Sequence, residues 1–289
     1  MNGMRIIPEH PCRIAASECI CHRPDMADGG ICRMASEPDY RNIITDSNLR
    51  RRMGRLLKMS TACGLEALKG VAPENVAGIV TSTGMGFMAD TVKFGNSMLD
   101  RNEELLNPSP FMQSTFNTAS GYIALAGKIR ASNTTYVQRA AGFASVFADA
   151  LMLLQENPGK SVLAGAFDEV TPEVDTVRRL LGYYRSDDGS FLPLGEGAGF
   201  FLLTSENLPD SHVLAGTASA SDSPEEFVRE CGMSGDSDVN VVKCSSLADV
   251  YGAFMSMLPV VIADSLGALS GPTLFVDDVN PDGIMALVC

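Results

Sequence analysis

Residues 134–150 read TTYVQRAAGFASVFADA, and this stretch decides the fold. TTYVQ at 134–138 is a short run that favours a β-strand. The residues from Ala140 to Leu154 then form an apolar helical pattern whose only charge is Asp149. A helix that is apolar on most sides must be buried. The stretch therefore predicts a strand that leads directly into a buried helix.

The same alternation of strand and helix continues on both sides of this stretch. Helices are predicted over 48–69, over 88–106 and over most of 111–129. Three apolar runs predict buried strands: VAGIVTST at 76–83, SVLAGAF at 161–167 and GEGAGFFLLTS at 195–205. Regular alternation predicts an α/β fold, a layered sheet with helices on its faces.

The elements after residue 212 are shorter. The sequence predicts strands over 212–220, 239–243, 272–278 and 283–289, and a helix over 224–231. A longer helix starts at Ser246 and reaches Leu258 or Leu266. Proline has no N–H and clashes with the preceding turn, so we expect Pro259 to kink or split this helix.

Composition limits the classes of partner. The chain has 289 residues, a net charge of −13 and a pI of about 4.6, which argues against nucleic acid and anionic membranes. Eleven of the 22 basic residues lie in the first 70, concentrated in NLRRRMGRLLK at 48–58. That run is either a solvated helix face or a surface for an acidic partner. The N-terminus predicts no secretory signal, and the expected location is the cytoplasm.

Cysteine and histidine residues crowd the N-terminus without the paired C-x₂₋₄-C spacing of a structural zinc site. The sequence therefore predicts buried thiols, with no metal and no cofactor. Gly84 and Gly86 follow a strand but lack the third glycine of a dinucleotide site, which favours a simple turn. The crowded residues are His10, Cys12, Cys19, Cys21, His22 and Cys32.

Four blocks, in order, resemble the β-ketoacyl synthase family of the thiolase-like fold. A fifth, at 37–59, is similar to the short synthase-like proteins of flexirubin and aryl-polyene pathways. The resemblance covers 37–205 well, and it implies a single domain over 1–289 with an N-terminal half of about 1–205 and a reduced C-terminal half of about 206–289. The four blocks are AGIVTSTGMG at 77–86, TYVQRAAGFASVFADALMLL at 135–154, SVLAGAFDEVTP at 161–172 and PLGEGAGFFLL at 193–203.

The resemblance also shows which catalytic parts are missing. A ketosynthase needs a cysteine at a helix N-terminus, where the helix dipole stabilises the thiolate. That position falls on Ala141, or on Ala140 if the register differs by one, and no cysteine occurs between Cys63 and Cys231. The position of the second catalytic histidine falls on Ala248. The stretch that carries the first histidine and the closing G-F-G-G loop are also absent.

Three functions fit these losses. The first is a non-catalytic subunit of the chain-length-factor type, which pairs with an active ketosynthase and meets acyl carrier protein only through that partner. It forms a heterodimer, or a homodimer in isolation. The second is a stand-alone binder or scaffold with a thiolase-like fold. The third is an acyltransferase whose nucleophile is displaced to Cys63 in TACGLEAL, although this cysteine precedes the first predicted strand.

For the first function, apolar residues near the dimer seam are the candidates for the interface or for the end of the acyl tunnel. Arg139, beside the empty nucleophile position, joins them because a buried arginine needs a partner. Asp149, Asp168 or Glu169 could provide it. The candidates are Phe111, Met112, Phe116, Tyr136, Arg139 and Phe143.

Overall fold

The computed structural model describes residues 5–23, 30–186, 188–233 and 239–289. Within them, no helix is both long enough and apolar enough to cross a bilayer. The strands are β1 (Cys12–Cys21), β2 (Cys32–Arg33), β3 (Val76–Ser82), β4 (Ser132–Tyr136), β5 (Ser161–Asp168), β6 (Leu194–Gly195), β7 (Gly197–Thr204), β8 (Val213–Ser219), β9 (Asn240–Lys243), β10 (Thr273–Val276) and β11 (Ile284–Val288). The α-helices are α1 (Ser47–Arg51), α2 (Arg55–Ala67), α3 (Met88–Asp100), α4 (Pro108–Ser114), α5 (Thr118–Gly127), α6 (Gly142–Glu156), α7 (Pro172–Leu181), α8 (Pro224–Glu230), α9 (Cys244–Tyr251) and α10 (Met257–Ser265).

Nine strands form one sheet in the order β4-β3-β5-β7-β1-β8-β11-β10-β9. The first five come from the N-terminal half, where β3, β4 and β5 are parallel and β7 is antiparallel to β5 and β1. The last four come from the C-terminal half, where β9 and β10 are parallel and β11 is antiparallel to β10 and β8. In the sheet the halves join through two residue pairs of β1 and β8, Cys12 with Leu214 and Arg13 with Val213. Single bridges of Ile6 with Thr217 and of Leu194 with Ala253 add to this contact.

Helices α6 and α10 share one hydrophobic core with inward-facing residues of both halves. A second core lies on the other face of the N-terminal strands, beneath α2 and α5, and a third lies beneath α8 on the C-terminal strands. Strand β1 contributes to two of them, because side chains alternate along a strand. Cys19 and Cys21 face the core of α6 and α10, and Ile20 faces that of α2.

The C-terminal half is a shortened version of the N-terminal half. In the N-terminal half α6 connects β4 to β5, and β3 lies between these two strands. In the C-terminal half α9 and α10 connect β9 to β10, which pair directly. Within the described part of the chain, the C-terminal sheet therefore has no counterpart of β3.

Glycines of β7 let α10 pack closely on the sheet. A Cβ atom on Gly199 would lie 2.9 Å from the carbonyl oxygen of Pro259 and from the Cα of Val260. Such contacts are too short for any side chain, so the glycine-rich sequence of this strand is a packing requirement.

Two predictions about the elements need correction, and one strand was missed. The helix expected over 48–69 is two helices, because the chain is extended at Gly54, which precedes α2. The expected break at Pro259 is wrong, since Pro259 lies in the first turn of α10, where its missing N–H costs nothing. The break comes at Gly252, whose φ of 73° suits glycine. Strand β1 was not predicted, although it is the strand of the N-terminal half that pairs with the C-terminal half.

Candidate functional site

The start of α6 is the position where the family resemblance expects a nucleophile. Ala141 is the residue before the helix, and Ala140 is buried. A Cβ atom on Gly142 would lie 2.9 Å from the Cβ of Ser82, so the helix starts directly against the end of β3. No side chain caps this end of α6. The helix N-terminus is therefore present, but the side chain beside it is a methyl group.

Arg139 precedes this helix in a left-handed conformation, with φ of 49°. Its guanidinium is half exposed, pairs with Asp282 Oδ2 at 2.6 Å and donates to the Tyr183 hydroxyl at 3.0 Å. The expectation that Arg139 is buried and pairs with Asp149, Asp168 or Glu169 is therefore wrong. Its partner lies in the turn between β10 and β11, so this ion pair bridges the two halves at the site.

Asp168, at the end of β5, lies at the centre of a buried polar network. Its carboxylate accepts hydrogen bonds from Thr83 Oγ1 at 2.9 Å, from the amides of Gly84 and Met85 at 3.0 and 3.1 Å, and from Ser256 Oγ at 2.6 Å. Burial raises the pKa of Asp168, and these four donors oppose that effect. Because Ser256 directly precedes α10, the network connects the two halves.

A second buried carboxylate, Asp277, follows β10 and has only local partners. It accepts from the amides of Val279 and Asn280 and from the Asn280 side chain at 2.8 Å. Burial raises its pKa to about 6. The next carboxylate after Asp168, Glu169, accepts from the amide of Ala89, and burial raises its pKa to about 7.

Little space remains beside these groups. The pocket at this position is lined by Met85, Asp168, Glu169, Tyr184 and Met255 among others, and its volume is about 10 Å³. That is about the smallest cavity that can hold one water molecule. An acyl chain does not fit in it.

The positions expected for catalytic histidines hold no histidine beside the Asp168 network in the described part of the chain. Ala248 is buried inside α9, where its carbonyl accepts from the amide of Gly252. His10 and His212 precede β1 and β8, and His22 follows β1 and contacts the Met34 carbonyl through Nδ1 at 3.0 Å. None of the three is bonded to the network around Asp168 in the described part of the chain.

The candidate interface residues fall into two groups. Phe111, Met112 and Phe116 are 53, 59 and 44% exposed. Tyr136 is half-buried and donates to Asp149 at 3.3 Å. Phe143 lies in the core of α6 and packs on Phe201 with a ring-centroid distance of 5.7 Å, so its surroundings are those of a core residue.

The exposed group lies near an open edge of the sheet. Helix α4, which carries Phe111 and Met112, contacts α5, and α5 contacts β4. Strand β4 is the terminal strand of the sheet, and Ser132 and Asn133 on it are exposed. The edge and the aromatic residues together form a surface that another protein chain could cover.

Cys63 is fully buried in α2. Its Sγ donates to the carbonyls of Glu18 and Ala198 at 3.2 and 3.4 Å. Burial raises the pKa of this thiol well above its ordinary value, which disfavours the nucleophilic thiolate. The expectation of a displaced nucleophile at Cys63 is therefore contradicted by its surroundings.

Sequence reasoning missed a buried ion pair near the site. Glu196 is fully buried, and both of its carboxylate oxygens bind the Arg55 guanidinium. It also accepts from the amides of Ala35 and Val170 at 2.8 and 3.1 Å. An acid inside the apolar run GEGAGFFLL needs such partners, and this signal was available in the sequence.

Comparison with solved structures identifies the class of fold as thiolase-like. A β-ketoacyl synthase from Burkholderia phymatum STM815 superposes with a TM-score of 0.70 at 10% identity, over 97% of this chain and 99% of that chain. The ishigamide ketosynthase/chain length factor gives a TM-score of 0.69 at 15% identity, over 96 and 98%. The ketosynthase ApeO in complex with its chain length factor ApeC, from Xenorhabdus doucetiae, gives 0.58 at 15% identity, over 96 and 98%.

The chain belongs to the β-ketoacyl synthase family. Residues 34–178 match the family described as beta-ketoacyl synthase, N-terminal domain. A search of curated proteins gives no match. The family and the layered fold that the sequence predicted are thus confirmed.

Proposed function

We propose that this chain is a non-catalytic ketosynthase-like subunit of the chain-length-factor type. It pairs with an active β-ketoacyl synthase and limits the length of the product. We assign it to the cytoplasm and to a polyketide or fatty-acid-like pathway of the aryl-polyene or flexirubin kind, which the resemblance of 37–59 favours.

One observation supports the proposal: the residue directly before α6, where the family resemblance expects the nucleophile, is Ala141. A methyl group cannot form a thioester. The Asp168 network and the ion pair of Arg139 with Asp282 fill the surroundings with structural contacts between the halves. The fold is therefore kept for its surface.

The surface for the partner is the apolar area around α4, together with the edge of β4. Phe111, Met112 and Phe116 are exposed there, and exposed aromatic residues are enriched at protein interfaces. The net charge of −13 disfavours direct docking of an acidic acyl carrier protein, so the carrier docks on the active subunit.

Co-expression with the β-ketoacyl synthase of the same gene neighbourhood tests the proposal. The two chains should co-purify as a heterodimer, and this chain alone should not condense malonyl and acyl units on a carrier protein. Met112→Ala or Phe116→Ala should change the product length of the pair. Leu180→Ala, an equally simple truncation at a residue 81% exposed on α7, serves as the control and should leave it unchanged.

Condensation by the purified chain alone would disprove the proposal. A stable homodimer that does not bind the co-expressed ketosynthase would instead support the second function, a stand-alone binder or scaffold.

A further inference from the structure

Two cysteines and one aspartate converge where β1 meets α10. Cys19 and Cys21 are two residues apart on β1, so their side chains point to the same face. Both are buried, and Asp264 lies opposite them near the end of α10. One ligand atom from each of the three lies within 4.8 Å of the other two. Cys19 Sγ is 3.3 Å from Asp264 Oδ1.

The aspartate is held in place as a carboxylate. The Tyr251 hydroxyl donates to its Oδ2 at 2.5 Å, and the Arg23 guanidinium binds its Oδ1. These contacts, together with the 3.3 Å distance to Cys19 Sγ, orient the Asp264 carboxylate toward the two thiols.

Two thiolates and a carboxylate are a donor set that suits zinc. Ligands about 2.0–2.3 Å from a tetrahedral zinc lie about 3.6 Å apart, so the three atoms need to approach by only about 1 Å. Binding of Zn²⁺ releases one proton from each thiol. The ion, two thiolates and a carboxylate then carry a net charge of −1, which the neighbouring Arg23 neutralises.

We propose that Cys19, Cys21 and Asp264 form a zinc site that fastens β1 of the N-terminal half to α10 of the C-terminal half. The fourth ligand is a water molecule or the Tyr251 hydroxyl. Arg23, whose side chain is 41% exposed, stays beside the cluster and compensates its charge. This site is independent of the proposed pairing with a ketosynthase.

Two other buried cysteines, Cys63 and Cys244, differ from Cys19 and Cys21 in their surroundings. Cys63 donates to two backbone carbonyls, and Cys244 is equally buried in the core of α10. Among the residues that the structure describes, only Cys19, Cys21 and Asp264 bring three such ligand atoms together. The other members of the N-terminal cluster, His10, Cys12, His22 and Cys32, do not join them, so the sequence spacing gave no hint of the site.

Metal titration of the full-length, reduced protein tests the site. We expect about one Zn²⁺ per chain by elemental analysis after removal of loosely bound metal. Replacement by Co²⁺ should give a thiolate-to-metal charge-transfer band in the near ultraviolet. Cys19→Ser and Cys21→Ser should abolish this band, and Cys244→Ser should keep it. Arg23→Gln should weaken zinc binding by about 10–100-fold, the usual effect of an outer-shell partner.

Measurements on the unmodified chain keep the test valid if a variant fails to fold. Zinc should raise its Tm and release about two protons per ion, and binding should weaken as the pH falls because the thiols must ionise. Absence of the cobalt band, or a Cys19–Cys21 disulfide with no metal bound in the purified protein, would overturn the site. Loss of ketosynthase pairing with zinc binding intact would overturn only the proposed function.

Discussion

Asp168 and Asp277 are buried carboxylates at equivalent places in the two halves, each at the end of a strand that follows a buried helix. Their partners differ. Asp168 accepts from Thr83 and the following turn in its own half and from Ser256 in the other. Asp277 accepts only from residues within three positions of itself. The first carboxylate joins the halves, and the second shapes one turn.

This difference shows which of the two carboxylates contributes to the junction between the halves. Strand pairing between the halves is short: two residue pairs of β1 and β8, with single bridges at Ile6 and Leu194. The shared helical core and polar contacts, among them those of Asp168 and Arg139, add to this junction. Asp168 and Arg139 therefore help to hold the two halves together.

The largest expected effect is that of Asp168→Ala. It leaves two hydroxyls and two amides without their acceptor in a buried site, and we expect a loss of about 3–5 kcal/mol in the free energy of unfolding. Asp277→Ala should cost less, about 1–3 kcal/mol, because it removes the acceptor of three donors instead of four and the Asn280 side chain keeps the Phe254 carbonyl as a partner. Urea denaturation measures both. An Asp277→Ala variant less stable than Asp168→Ala would reverse the comparison.

The next effect concerns the packing of α10 on β7. Gly199→Ala places a methyl group against the backbone of Pro259 and Val260, and we expect it to destabilise by about 1–3 kcal/mol. Gly95→Ala is the control, since nothing lies within 4 Å of that position in α3 and alanine favours a helix. It should stabilise by about 0.4–1 kcal/mol. If Gly199→Ala is neutral, the two halves are not tightly packed at this contact.

A pH effect tests the environment of the local carboxylate, Asp277. The pKa of Asp277 is about 6 in the folded protein against an ordinary value of 3.8, so the folded chain binds its proton more tightly. The stability from this proton is present below about pH 4 and is lost as the pH rises through 6. Asp277→Asn should remove this part of the decline, roughly 1–3 kcal/mol between pH 4 and 7. Thermal unfolding of both proteins across that range provides the test, and parallel curves would contradict it.

The sequence predicted the apolar strands and helix of the N-terminal half but not the strand that pairs with the C-terminal half. Continuous apolar runs predicted β3, β5 and β7, and the almost uncharged run after Arg139 predicted α6, because such patterns reflect burial directly. Strand β1 has no such run. Its alternation mixes cysteine, alanine, serine and glutamate, and its neighbours in the sheet come from residues 197–214.

The partners at the site were also beyond the reach of local patterns. Ser256 lies 88 residues from Asp168 in sequence, and Asp282 lies in a turn far from Arg139. The sequence could predict an alanine at the expected nucleophile position, Ala141 or Ala140, since a residue type needs no partner to be identified. The sequence could not predict which residues surround this position, because they are brought together by contacts between the two halves.

The smallest expected effect on stability is that of substitutions at Arg139, the residue beside the expected nucleophile position. Its φ of 49° is unfavourable for a residue with a Cβ, by about 1 kcal/mol, and its exposed ion pair contributes at most about as much. Arg139→Gly should therefore be about as stable as the natural chain, and Arg139→Ala should be less stable by about 0.5–1 kcal/mol. Asp282→Asn removes the ion pair alone, and its stability should lie between those of Arg139→Gly and Arg139→Ala.

Binding to the co-expressed ketosynthase then decides why arginine occupies a position that suits glycine. If Arg139 contributes to the interface, Arg139→Gly should fold normally and bind the partner more weakly, and Asp282→Asn should weaken it less. Equal binding by all three variants would remove Arg139 from the interface and leave it a contact between the halves. A greater loss of stability for Arg139→Gly than for Arg139→Ala would show instead that the left-handed conformation is not strained.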